Sequence, residues 1–237
     1  MRGYYGTTGL LAMVFVAGGA LAVDTPAKGS HLAQVRTASV TTVAQTAQPG
    51  LSATVQQVER YFNDVKTLQA DFKQTVTGEA RASTGTFYWQ KPGKFLWLYK
   101  QPVAQKLVST GSAIYFIDDR QQATQVPTNA GVARLFNAKT LNFSKQGLRA
   151  THVAQTGREL AVTFAVEKDM ADGDGAGLKQ LTLVFMRLPG NRIELARIDA
   201  LDTLNTTTRV ELSNVRRNLM LTRSLFDYTP GVYQQRN

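Results

Sequence analysis

From Gly85 to Pro102 the chain reads Gly-Thr-Phe-Tyr-Trp-Gln-Lys-Pro-Gly-Lys-Phe-Leu-Trp-Leu-Tyr-Lys-Gln-Pro, and Ala113-Ile114-Tyr115-Phe116-Ile117-Asp118 follows closely. Lys91-Pro92-Gly93-Lys94 divides two aromatic runs with the chemistry of a tight turn, since Pro presets one φ angle and Gly accepts a positive one. Strand side chains alternate, so Phe87 and Trp89 share a side with Phe95, Trp97 and Tyr99 across that turn. Tyr88, Leu96 and Leu98 occupy the other side. A hairpin that is apolar on both faces needs two covers. Helices packed as core can supply one, and a guest molecule can supply the other.

The rest of the chain supplies more strands and little helix. Leu51, Val55, Val58, Phe62, Val65 and Leu68 recur at spacings of three and four, which predicts an amphipathic helix with Ser52 as its N-cap. The period changes from Asp71, where Phe72, Thr75 and Val76 lead into a strand. Further strands are expected at 84–90, 94–100, 104–109, 112–118 and 122–126, then at 150–156, 159–167, 178–187, 191–201 and 206–215. Alternation is clean in Leu160-Val162-Phe164-Val166 and Leu181-Leu183-Phe185, and turns fall at Gly111, Gly157, 172–175 and 189–191. Short turns between consecutive strands predict an antiparallel meander. Between Pro127 and Gly147 the pattern breaks. There Gly131 to Asn137 reads as a short helix with Val132, Leu135 and Phe136 on one side, and an apolar cluster follows at Leu141 and Phe143. The expected fold is α+β and mainly β: one strongly curved antiparallel sheet, an unclosed half-barrel, with a helical lid over an apolar cavity.

Residues 1–22 have the layout of a signal peptide. Arg2 gives the positive start, Leu10 to Ala17 the apolar stretch, and Ala20-Leu21-Ala22 the small-residue cleavage site. An uncleaved membrane anchor is the alternative, but the apolar run is short for a span. Residues 23–50 are rich in Thr, Ala, Gln and Ser and read as a flexible segment, leaving 51–237 as one domain. The chain has no cysteine, which removes disulfides, thiol nucleophiles and a thioether-linked lipid. Its formal net charge is +10, and the signal contributes only Arg2. Dispersed cations in an exported protein point to anionic membrane surfaces or acidic proteins, and away from nucleic acid.

Catalytic groupings are not visible. Only His31 and His152 occur, too few for a histidine metal site. No nucleophile elbow, phosphate-cradling loop or dinucleotide fingerprint appears. Asp169, Asp172 and Asp174 faintly suggest calcium, yet an EF-type count from Asp172 places Ala176 and Leu183 at ligand positions. Asp118-Asp119 would point to opposite faces of a strand. Neither an enzyme, a cofactor nor a metal site is expected. Two-sided apolarity with an export signal instead favours a binding hollow, although each aromatic alone is equally readable as core.

Gly85 through Pro102, with Gln105-Lys106-Leu107-Val108-Ser109 and Gly111, resembles the LolA family of periplasmic outer-membrane lipoprotein carriers. Leu68 to Thr75 is similar to that family's helix-to-strand passage, and Phe226-Asp227-Tyr228-Thr229-Pro230 with Val232 to its closing segment. The resemblance implies an unclosed barrel with a helical lid and a monomeric periplasmic carrier. It implies triacylated lipoproteins as cargo, taken from an ATP-driven extractor in the inner membrane and given to a receptor on the outer membrane. With the apolar hollow read above, Trp89, Phe95, Trp97 and Tyr99 are expected to form the ligand-binding wall, Leu135 and Phe136 the lid, and Lys91 the lid latch. Phe95 matches an aromatic implicated in meeting the extractor. The family usually carries Arg where this chain has Lys91, which keeps the charge but loses the planar fork of donors. A carrier of another lipid or glycolipid, or an envelope interaction protein with a basic surface and a plain core, are the alternative readings.

Overall fold

The computed structural model describes residues 49–128, 133–167 and 177–229. The expected signal peptide, the expected linker up to residue 48, Gly131-Val132, the Asp-rich loop and the Pro230–Val232 stretch lie outside the described residues.

Helix α1 spans Pro49–Asp64 and buries Val58, Tyr61 and Phe62. It ends earlier than the apolar spacing predicts. Leu68, the last member of that stripe, belongs to β1 (Thr67–Val76), where it pairs with Trp89 on one side and Arg217 on the other. A step of three fits a helix and a strand alike at such a boundary, and pairing on both edges decides it. Ser52 sits inside α1 and does not cap it; Pro49 already starts the helix.

Ten further strands follow: β2 (Ser83–Gln90), β3 (Lys94–Gln101), β4 (Gln105–Thr110), β5 (Ile114–Ile117), β6 (Ala123–Val126), β7 (Leu148–Thr156), β8 (Glu159–Val166), β9 (Leu178–Leu188), β10 (Arg192–Asp202) and β11 (Thr207–Arg217). They form one antiparallel sheet in the order β6-β5-β4-β3-β2-β1-β11-β10-β9-β8-β7. The expected single meander is in fact two, joined where β1 pairs with β11. Local turns set each meander, but the pairing of first strand with last is a long-range choice that periodicity does not carry.

The sheet bends around one face. The Phe62 ring on α1 lies 6.3 Å from the Trp89 ring on β2 and 6.2 Å from the Phe185 ring on β9. Four strand spacings of about 4.8 Å separate β2 from β9, roughly 19 Å on a flat sheet. Two inward side chains can both reach one ring only if the sheet curls toward it. Register shifts in β1–β11, β9–β10, β2–β3 and β7–β8 mark bulges, which add local bend and twist. The sheet stays open, because its edge strands β6 and β7 do not pair with each other.

That order dictates the lid. Strands β6 and β7 are consecutive in sequence but stand at opposite edges, so the chain between them must cross the sheet's full width. The crossing carries helix α2 (Ala133–Asn137), then Leu141 and Phe143, then a 3-10 turn at Ser144–Gln146. Among the described residues, its Ala133, Leu135, Phe136, Leu141 and Phe143 join the concave core. The convex face over β3, β4 and β5 is covered by the chain's own end. Phe226, in a 3-10 turn at Arg223–Phe226, packs with Leu96, Val108 and Ile117, flanked by Tyr88, Leu98, Tyr115 and Tyr228. The hairpin's second cover is therefore polypeptide.

Candidate functional site

Cross-strand pairing assembles the inner wall. Phe87 faces Trp97 and Trp89 faces Phe95 in the β2–β3 register, and Tyr99 continues the row opposite Gly85. Gly85 is required at that place. A Cβ there would lie 2.1 Å from the Leu98 carbonyl oxygen and 2.8 Å from the Phe72 ring. The bare backbone lets Phe72 settle edge-on to Trp97 and Tyr99, with centroids 5.0 and 4.9 Å apart. Phe87 stacks on Trp97 at 4.2 Å.

Helix α2 lies on this wall. The Phe136 ring sits 5.2, 5.5 and 5.9 Å from Phe87, Trp89 and Phe95. Leu135 and Phe136 are 4% and 3% exposed, and Trp89, Phe95, Trp97 and Tyr99 are all at 4% or less. The six residues expected to hold a ligand thus belong to one buried cluster, in which the Phe136 ring of α2 and the Phe62 ring of α1 both lie against Trp89. An apolar guest can enter among them only as the helices move away.

Polar contacts oppose that movement, and two groups of them anchor the helices to the sheet, one at the β2–β3 turn and one at β10. The Lys91 ammonium donates to the Phe62 carbonyl at 2.6 Å. That oxygen is in the last turn of α1, where carbonyls lack helical partners and the dipole is negative. Lys91 therefore holds α1, not α2. Its ammonium also lies 5.5 Å from the Trp89 ring centroid. Burial lowers the Lys91 pKa from its usual value, and the Asp64 charge opposes that shift. The Lys91–Pro92 bond is cis, unlike the ordinary turn its sequence predicts.

Helix α2 is held by a different pair. Both the Trp89 indole N–H, at 3.1 Å, and the Gly93 amide, at 3.2 Å, donate to the Phe136 carbonyl. Trp89 is thus wall and fastener at once. Sequence reasoning misses this because the acceptor is a backbone oxygen, which leaves no mark in residue identity. Farther along α1, the Tyr61 hydroxyl donates to Glu194 at 2.6 Å and accepts from the Leu195 amide at 3.3 Å. Arg217 pairs with Glu194 at 3.2 Å and lies over the Tyr61 ring. Burial, then the Glu194 charge and hydrogen bond, raise the Tyr61 pKa well above its ordinary value. At the other end of the wall the Tyr99 hydroxyl donates to buried Gln74 at 2.9 Å, and burial likewise raises its pKa.

The polar candidates resolve as structure. Asp118 accepts from the amides of Arg120 and Gln122 and so ties the turn after β5. His152 is exposed on β7. Among the described residues no group of three or more His, Cys, Asp or Glu could hold a metal ion, and no helix is long and apolar enough to cross a membrane.

Comparison with known proteins accords with this arrangement. Residues 63–229 match the profile of the family described as outer membrane lipoprotein carrier protein LolA. The outer-membrane lipoprotein carrier protein of Methylococcus capsulatus is 29% identical over 191 residues, covering 73% of this chain and 82% of that one. Its counterpart in Bordetella bronchiseptica is 31% identical, covering 79% and 88%. Among solved structures, a LolA superfamily protein from Nitrosomonas europaea aligns with a TM-score of 0.40 at 8% identity, covering 75% of this chain and 97% of that one.

Proposed function

Since the chain belongs to the LolA family of outer-membrane lipoprotein carriers, proteins that carry cargo and catalyse nothing, we propose that it shields the acyl chains of lipoproteins released from the inner membrane and delivers them to an outer-membrane receptor. Triacylated lipoproteins are the cargo in this reading, an ATP-driven inner-membrane extractor is the donor, and the carrier works as a monomer. Export with cleavage near Ala22 places it in the periplasm, with 51–237 as the carrier domain.

The observation that supports this most is the contrast between the interior and its fastening. The interior is aromatic and aliphatic almost throughout, while α2 is tied to the wall by Trp89 and Gly93 at the β2–β3 turn and α1 by Lys91 there and by Tyr61 at β10. Burying acyl chains is worth about 0.8 kcal/mol per CH2. Parting the helices from Trp89, Phe95, Trp97, Tyr99, Leu135 and Phe136 exposes apolar surface that acyl chains can cover in place of water. Such contacts have no direction, so cargo can differ in sequence and still be held, and released.

The completeness of burial favours a second reading, an envelope protein whose interior is only a core. Purifying the exported protein and identifying co-eluting molecules by mass spectrometry separates the two. Acylated peptides bound in proportion to protein, with a shift in tryptophan fluorescence on their removal, support carriage. A protein free of acylated molecules that stays unchanged when offered a purified lipoprotein overturns it. A co-eluting lipid or glycolipid in place of a lipoprotein points to the related-carrier alternative.

A further inference from the structure

One border of the sheet gathers the starts of β1, β3, β8 and β10 with the ends of β2, β9 and β11. That border is basic. Lys66, Lys94 and Arg216 occupy one half, and Arg158, Arg187 and Arg192 the other. Backbone bonds hold each half together. The Lys91 amide donates to the Lys66 carbonyl at 2.9 Å, the Asn218 amide to Thr67 at 2.8 Å, and the Arg187 amide to Arg158 at 2.7 Å. The acids at this border are Asp64, Glu159 and Glu194, and Glu194 is already paired with Arg217. Among the described residues, the salt bridges involve Arg197, Arg209 and Arg217, and none of the six rim cations. The opposite border is balanced, with Glu79, Asp118, Asp119, Glu167 and Asp202 alongside Arg81, Lys100, Lys106, Arg120, Arg149 and Lys179.

An apolar side chain projects from the basic border. Met220 is 101% exposed, and the chain there is pinned to the rim by the Thr67 hydroxyl, which donates to the Leu219 carbonyl at 2.7 Å. Val103 and Leu204, the other large apolar side chains in the open among the described residues, lie in turns at the opposite border.

We propose that this rim docks on a bilayer surface bearing anionic phospholipid, with Met220 entering the headgroup layer. Six strand spacings, about 29 Å along the curve, separate the outermost cations. Charges spread that widely suit a field of headgroups better than one acidic protein motif. A projecting thioether side chain suits the same boundary. Docking in this pose turns the β2–β3 turn, which fastens both helices, toward the membrane. The proposal goes beyond cargo carriage, and its test uses vesicles without lipoprotein, so either can fail alone.

The exported protein is floated with vesicles of phosphatidylglycerol and phosphatidylcholine, and with phosphatidylcholine alone. Binding is expected only to the anionic vesicles, and is lost near 1 M salt, where the screening length falls to about 3 Å. Each basic residue near such a surface contributes about 1 kcal/mol, roughly fivefold in partitioning. The exposed triple Lys66→Gln, Arg192→Gln, Arg216→Gln should then lower binding about a hundredfold. Lys106→Gln, Arg120→Gln, Lys179→Gln, equal in charge removed, should bind as the parent does. Met220→Ser should weaken binding without altering its salt dependence. Absence of binding to anionic vesicles, or equal losses in the two triples, overturns the proposal. So does rim-dependent capture of an acidic protein without any vesicle binding.

Discussion

At the scale of single residues, Lys91 and Gly85 show how much one position can govern. The Lys91 ammonium bonded to the Phe62 carbonyl closes the last turn of α1 against the wall. Lys91→Met removes that donor, a loss of about 1 kcal/mol once solvent screening is allowed for. Amide exchange in the second half of α1 should then quicken about fivefold, with global stability lowered by no more than that same ~1 kcal/mol. Lys91→Arg, with more donors, should slow it. Equal exchange rates in all three proteins would remove the latch role. Gly85→Ala is expected to be costly, because its Cβ would meet the Leu98 carbonyl and the Phe72 ring at once. Overpacking of this kind costs about 1–3 kcal/mol, and a backbone atom on one side leaves little room to yield. Urea unfolding should place Gly85→Ala at or beyond the top of that range.

At the scale of elements, α2 is too short to be stable alone. Its position comes from Leu135 and Phe136 in the core and from one carbonyl that receives two donors. Trp89→Phe keeps an aromatic ring in the wall but removes the indole N–H from the Phe136 carbonyl. Loosening of α2 should follow, seen as faster exchange over 133–137 and faster uptake of a fluorescent fatty acid, by a factor of about five for a bond of about 1 kcal/mol. If uptake is unchanged while exchange rises, α2 is not the gate. Helix α1 is fastened separately, through Lys91, through Tyr61 with Glu194, and through Asn63, which exchanges hydrogen bonds with Leu141. The Asn63–Leu141 pair also ties α1 to the crossing that carries α2, so loosening one lid element should be felt by the other.

At the scale of the whole molecule, Tyr61 joins α1 to β10 and Tyr99 joins β3 to β1, so both report on the assembled fold. Both have pKa values raised by burial. In the unfolded chain they ionise near 10, while the folded protein keeps their protons. Their contribution is thus complete below about pH 10 and lost as pH rises above it, by about 1.4 kcal/mol per pH unit for each tyrosine. Lys91 acts in the opposite sense, since its folded pKa is depressed and stability gains slightly as pH climbs toward 10.5. Comparing variants isolates the tyrosine effect. Tyr61→Phe should make the alkaline fall in urea stability shallower by about 1.4 kcal/mol per unit, and an unchanged slope would show that Tyr61 ionises freely in the folded state.

Residue order alone was enough to place nearly every strand, the wall of Phe87, Trp89, Phe95, Trp97 and Tyr99, and the short helix at Leu135-Phe136. Alternation, turn chemistry and aromatic spacing act over a few residues, and a one-residue slip would turn the whole apolar set to water. Tertiary structure alone decided that Leu68 is strand, that β1 pairs with β11, that the chain's end covers Leu96 and Val108, and that Lys91 reaches Phe62. Each of these is settled by contact between segments far apart in the chain or by a backbone oxygen. Side-chain identity encodes neither, because loop closure and burial are properties of the folded whole.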